Sequence, residues 1–110
     1  MNDSQYHDLA DALLLSIEDA VEAVAEDSGV DMEVESVGGK VDILFPDRSK
    51  IIINKQPPLQ QIWVATRYNG HHFGYQDGLW IDVRSGAELK AFLDDAISRQ
   101  AGQPLVLGLE

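Results

Sequence analysis

VDMEVESVGGKVDILF, residues 30–45, decides the fold. Val30, Met32 and Val34 alternate with Asp31, Glu33 and Glu35, the period of a strand with one apolar and one acidic face. Gly38-Gly39 then supplies two residues that tolerate positive φ, the signature of a two-residue hairpin turn. Val41, Ile43 and Phe45 resume the apolar phase on the far side. The stretch therefore predicts two antiparallel strands, about Val30–Val37 and Lys40–Phe45, and a sheet that grows outward from them.

Upstream the period changes from two to 3.6. At about 100° per residue, Tyr6, Leu9, Leu13, Ile17, Ala20 and Val24 gather on one stripe. Asp8, Asp11, Glu18, Asp19, Glu22 and Glu26 gather on the other side. An amphipathic helix is expected from about Ser4 to Glu26, stopped by Asp27-Ser28-Gly29. Like charges this close repel, so the acidic face costs folding free energy unless something cationic neutralises it.

Downstream, Pro46-Asp47-Arg48 turns the chain into a β-branched third strand, about Ser49–Lys55. Gln56-Pro57-Pro58 interrupts the pattern. Strands at about Gln60–Arg67, His71–Gln76 and Leu79–Asp82 follow, separated by Asn69-Gly70 and Asp77-Gly78. Ser85-Gly86-Ala87-Glu88 has capping-box spacing and announces a second helix carrying Leu89, Phe92, Leu93, Ala96 and Ile97, with Gly102 at its exit. The apolar tail Leu105-Val106-Leu107 is expected to tuck between the helices or beside the sheet. The fold class is α+β, a two-layer sandwich with two helices on one face of a twisted antiparallel sheet, in the order α-β-β-β-β-β-β-α. The whole chain, 1–110, reads as a single domain.

Composition narrows the function. Eight lysines and arginines against nineteen aspartates and glutamates give a net charge of −11. Nucleic acid and anionic membrane, both polyanions, are poor partners for such a chain; metal cations or a basic protein surface suit it. There is no cysteine, hence no thiolate metal site, thiol nucleophile or disulfide. No apolar run is long enough to span a bilayer, and the acidic N-terminus lacks the features of a secretory or transit peptide, so a cytoplasmic bacterial protein is expected.

Carboxylates are hard oxygen donors suited to iron, manganese, magnesium or calcium. Glu18 with Glu22, and Glu22 with Glu26, stand four apart, while Asp3, His7 and Asp11 form a second such line that adds an imidazole. None of these is a closed chelating motif, so cation binding is expected to be weak, overlapping and unselective. His71 and His72 are adjacent on a strand and point to opposite faces, which suits structural or surface roles. Trp63 is out of phase with Ile62 and Val64, which places it on the open sheet face as a contact anchor. No nucleophile elbow, phosphate-binding loop or buried carboxylate pair appears, and no enzyme is expected.

Taken together, the acidic first helix and strand, Ile51-Ile52-Ile53-Asn54-Lys55-Gln56-x-Pro58, Gln61-Ile62-Trp63-Val64-Ala65, His72-Phe73, and Trp80 followed by Asp82-x-Arg84-Ser85-Gly86 resemble bacterial frataxin of the CyaY type over nearly the whole length. The resemblance implies the same helix–sheet–helix sandwich and a regulatory role in iron–sulfur cluster assembly. It implies weak, surface-bound iron (Fe2+/Fe3+) and no organic cofactor, on a ridge of Glu18, Asp19, Glu22, Glu26, Asp27, Asp31 and Glu33. The implied partners are the cysteine desulfurase and the iron–sulfur assembly scaffold, met through Glu18, Asp19 and Glu22 and through Asn54, Gln61 and Trp63 of the sheet. A monomer is expected, with iron-induced oligomers as a further state. Relative to the family pattern, an added residue or two in the Ser36–Gly39 turn is expected to lengthen the first hairpin. Two alternatives stay open: an iron-oxidising, iron-storing protein, which would need two irons held close together, and an acidic docking module for another basic protein.

Overall fold

A computed structural model describes residues 1–109. Its elements run α1 (Asp3–Ser28), β1 (Glu33–Val37), β2 (Lys40–Leu44), β3 (Lys50–Gln56), a 3-10 turn (Pro57–Leu59), β4 (Gln61–Ala65), β5 (Gly70–Gln76), β6 (Leu79–Asp82) and α2 (Leu89–Ala101). The six strands form one antiparallel sheet in sequence order, β1 to β6, and both helices pack on the same face of it. This is the expected sandwich. No helix among the described residues is long and apolar enough to cross a membrane.

The helix limits follow from their caps. Asn2 accepts a hydrogen bond from the Gln5 amide at 2.8 Å, and the Gln5 side chain accepts one from the Asn2 amide at 2.9 Å. This reciprocal box starts α1 earlier than the apolar stripe alone predicts. Gly29, at φ 74°, ends it. Tyr6, Ala10, Leu13, Leu14, Ile17 and Val21 are the buried face, with Leu9, Ala20 and Val24 on its margin.

Three expectations are corrected. Ser85 is not the cap of α2. Gly86 adopts φ 77°, which no helix accommodates, so the helix begins a turn later, with Glu88 accepting from the Ala91 amide at 3.1 Å. Residues 30–32 keep the predicted alternation, Met32 buried and Asp31 exposed, but they lie outside the strand, which starts at Glu33. The β4–β5 connection turns at Arg67-Tyr68 and not at Asn69-Gly70: β4 stops at Ala65, which pairs with Gly70 of β5, and the Thr66 amide donates to the Asn69 carbonyl at 2.9 Å. In the first hairpin Val37 pairs with Lys40, leaving only Gly38-Gly39 in the turn, at φ 40° and 79°.

The core is one continuous cluster. Ile43, Ile51, Ile53, Ile62 and Phe73 of the sheet meet Ile17 and Val21 of α1 and Leu89, Leu93 and Ile97 of α2, all fully buried. Two buried polar side chains are anchored at several points. The Tyr6 hydroxyl donates to the Gln61 carbonyl at 2.6 Å and accepts from the Gln56 amide at 3.0 Å, clamping the sheet on either side of Pro57-Pro58. Gln100 accepts from the Arg67 amide and donates to the Ser49 hydroxyl and the Lys50 carbonyl, tying α2 to two turns. The tail lies along α2. The Ser98 hydroxyl bonds both backbone groups of Leu105 at 2.9 Å, and the Leu107 amide donates to Asp94 at 2.9 Å. Leu105 and Leu107 are buried while Val106 faces out.

Candidate functional site

Asp19, Glu22, Glu26 and Asp27 are exposed on α1, Glu18 is half-buried on its flank, and Asp31 and Glu33 continue the line, exposed, into β1. Among the described residues none of these seven takes part in an ion pair. Four of the eight lysines and arginines pair elsewhere: Lys55 with Asp11 at 2.7 Å, Arg67 with Asp47 at 2.6 Å, Arg99 with Asp95 at 3.2 Å, and Lys40 with Asp42 at 3.6 Å; none of the eight reaches the ridge. The last turn of α1 carries no basic residue, so Glu26 and Asp27 face the negative end of the helix dipole. That arrangement is unfavourable in isolation and becomes favourable when a cation arrives.

The line Asp3, His7, Asp11 is organised differently. Asp3 accepts from the Gln60 side chain at 3.1 Å, and His7 is half-buried edge-on against Tyr6, ring centres 5.2 Å apart. Asp11 holds Lys55, whose side chain is only 13% exposed. Lys55 stands opposite Ile62, on the helix-facing side of the sheet, so its ammonium must find a carboxylate at the helix flank. This line is therefore largely occupied by the fold, and only the ridge beyond it is uncommitted. Among the described residues no three Asp, Glu or His side chains converge on one point that could hold a metal ion.

On the open sheet face, Asn54, Trp63 and His72 lie side by side across β3, β4 and β5. The Trp63 indole stacks on the His72 ring, centres 4.2 Å apart and 12° from parallel, and its Nε1 donates to the Gln61 side chain at 2.9 Å. Trp63 is thus half-buried and braced on the open face rather than a loose anchor. His71 points to the other face, as expected. There its Nδ1 lies 2.8 Å from Asp82 and its ring packs on Phe92 at 4.4 Å.

Two groupings escaped the sequence reading. Asp82 is buried, and its other oxygen accepts from the Arg84 and Ser85 amides. Burial pushes its carboxyl up, but hydrogen bonds from Arg84, His71 and Ser85 outweigh that and hold it below the ordinary 3.8. The signal was available in Asp-x-Arg-Ser-Gly, a carboxylate ahead of a tight turn. The second grouping is Glu35 and Asp42, directly opposite one another across β1 and β2. Their pairing was readable from the Gly38-Gly39 turn by counting outward.

A frataxin-like domain matches residues 1–103 of the chain. The iron–sulfur cluster assembly protein CyaY of Colwellia psychrerythraea is 53% identical over 110 residues, covering 100% of each chain. The structure of a frataxin from Psychromonas ingrahamii is similar at TM-score 0.81 and 41% identity, covering 97% of this chain and 98% of that one. Trimeric frataxin from the yeast Saccharomyces cerevisiae, solved as a ferrous complex, is similar at TM-score 0.74 and 28% identity, covering 86% of each chain.

Proposed function

This chain belongs to the frataxin family, and from that premise we propose that it is a non-enzymatic, iron-binding regulator of iron–sulfur cluster assembly. The observation that carries the reading is the unpaired ridge: Glu18, Asp19, Glu22, Glu26, Asp27, Asp31 and Glu33 have no lysine or arginine partner among the described residues, whereas four other carboxylates do. Ferrous or ferric iron is cargo here. It is held weakly and at several overlapping positions, because the carboxylates line a ridge and do not close around a point. The ferrous complex of the yeast relative supports iron as that cargo.

The same negative line docks on a basic surface of the cysteine desulfurase, in the cytoplasm. Association by many modest charge pairs is fast and salt-sensitive. Asn54, Gln61 and the braced Trp63 form a second, uncharged contact for the desulfurase or the assembly scaffold. The test is a titration of desulfurase at low salt with the double variant Glu18→Lys, Glu22→Lys. Binding falls by about a hundredfold or more while the fold survives; unchanged affinity refutes the reading. Iron modulates this contact, so saturating ferrous iron in the same titration shifts the affinity.

A further inference from the structure

The two edges of the sheet are finished differently. Outside β6 the chain folds back on itself: Ile81 bridges Glu88, and the Asp82 amide donates to the Ala87 carbonyl at 2.8 Å. That edge is closed. β1 has a single neighbour, β2, and nothing among the described residues pairs with its other side.

The register says which groups stand free. Val37 and Lys40 flank a two-residue turn, so they form a hydrogen-bonded pair, as do Glu35 with Asp42 and Glu33 with Leu44. The Lys55 amide donating to the Gly39 carbonyl at 2.9 Å fits this alternation. Val34 and Ser36 therefore turn their N–H and C=O groups outward, an open row of two donors and two acceptors.

The side chains beside that row are selective. Glu33 and Glu35 are exposed on the open sheet face. Asp42 sits opposite Glu35 with its side chain only 13% exposed, and its Oδ1 is buried with no hydrogen-bond partner. Charges on an edge strand commonly serve to block aberrant pairing. That accounts for Glu33 and Glu35, but not for a buried oxygen lacking a donor, which costs free energy. A second copy of β1 would set like charges against one another. A cationic side chain on an incoming strand, level with Glu35, stands two strand spacings, roughly 10 Å, from Asp42. There it meets the exposed Glu35 carboxylate first and adds to the field at Asp42, whose other oxygen has only Lys40, at 3.6 Å, for company.

We propose that the free edge of β1 receives an extended, lysine- or arginine-bearing segment of a partner protein as a seventh strand. Val34 and Ser36 supply the main-chain hydrogen bonds, and the exposed Glu33 and Glu35, with Asp42 behind them, select the cations. This rests on the reading that a basic protein docks on the acidic side, and it adds how part of that partner is held.

The probe is a seven-residue capped peptide alternating lysine and threonine, titrated into the full chain. The wild type binds it, and hydrogen exchange at the Val34 and Ser36 amides slows. Ser36→Pro removes an outward N–H without touching the β1–β2 ladder or any charge, and it weakens binding about tenfold or more. Ser36→Ala binds within about twofold of wild type. Failure of the wild type to bind, unprotected amides in the complex, or full affinity in a folded Ser36→Pro overturns the proposal. If Ser36→Pro does not fold, amide protection in the wild type decides alone. Desulfurase binding that survives Ser36→Pro but not Glu18→Lys with Glu22→Lys removes strand addition and leaves the docking reading intact. Binding that survives the charge reversal removes the docking reading instead.

Discussion

The carboxylates on the α2–β6 side and those on the α1–β1 side are the same chemical groups put to opposite uses. Around α2, Asp82 gathers two backbone amides and His71, Glu88 caps the helix, Asp94 holds the tail at Leu107, and Asp95 pairs with Arg99. Along α1 and into β1, Glu18 through Glu33 have no ionic partner among the described residues. The difference lies in what the local backbone offers. A turn or helix start exposes unbonded N–H groups that a carboxylate can take. The outward positions of a long helix expose none, because every amide there is already bonded within the helix. Acids beside a free backbone amide or a basic neighbour, such as Asp82, Glu88, Asp94 and Asp95, are absorbed by the fold, and acids along the ridge, which have neither, are left for ligands.

The sharpest way to break this contrast is Asp82→Ala. It strips a buried anion from three donors and leaves His71 unpartnered, at a cost of about 3 kcal/mol of stability. A thermal melt should fall by roughly 10 °C or more; an unchanged Tm would erase the distinction between the two sides.

Acid titration sharpens the same point. The folded Asp82 carboxyl lies below its ordinary 3.8, so at low pH the unfolded chain binds the extra proton and stability rises with pH there. The contribution is complete above the ordinary value and is lost as pH falls through the lowered folded one. Tm measured between about pH 5 and pH 2 should therefore drop less steeply in Asp82→Asn than in the wild type. A parallel fall would assign the acid limb to other groups, such as Asp47, whose carboxyl is lowered by hydrogen bonds from Ser49.

Ridge substitutions should act in the other direction. Glu26→Lys, near the C-terminal end of α1, relieves repulsion and matches the helix dipole, so it stabilises by roughly 0.5 kcal/mol. A melt showing clear destabilisation would mean that Glu26 has a structural duty. Smallest of all is Arg99→Ala, which removes an exposed i,i+4 pair on α2 and costs about 0.3 kcal/mol in urea unfolding. A loss several times larger would show that surface pairs matter more here than burial does.

Most of the architecture was legible because it follows local rules. Gly38-Gly39 and Asp77-Gly78 set two of the hairpins, and period two or 3.6 named each element; Asn69-Gly70 marked the third connection but not its turn, since Gly70 pairs with Ala65 inside β5. The misplaced start of α2 arose because Ser-x-x-Glu spacing is necessary for a capping box but does not exclude a positive φ at Gly86 between them. The ridge could be read from charge alone. That Lys55 neutralises Asp11 could not, since 44 residues separate them and only the packed sheet brings them together. Likewise the phase of β4 placed Trp63 on the open face, but the ring beneath it, His72, depends on the β4–β5 register.

The direct test of the central claim is an amide chemical-shift titration of the full chain, first with ferrous iron under anaerobic conditions and then with desulfurase. Both ligands should perturb one shared set of amides, running from Glu18 to Glu33 along α1 and into β1, and leave the surroundings of Asp82 and Asp94 unmoved. Perturbations centred on α2 and β6, or two sets that do not overlap, would contradict it.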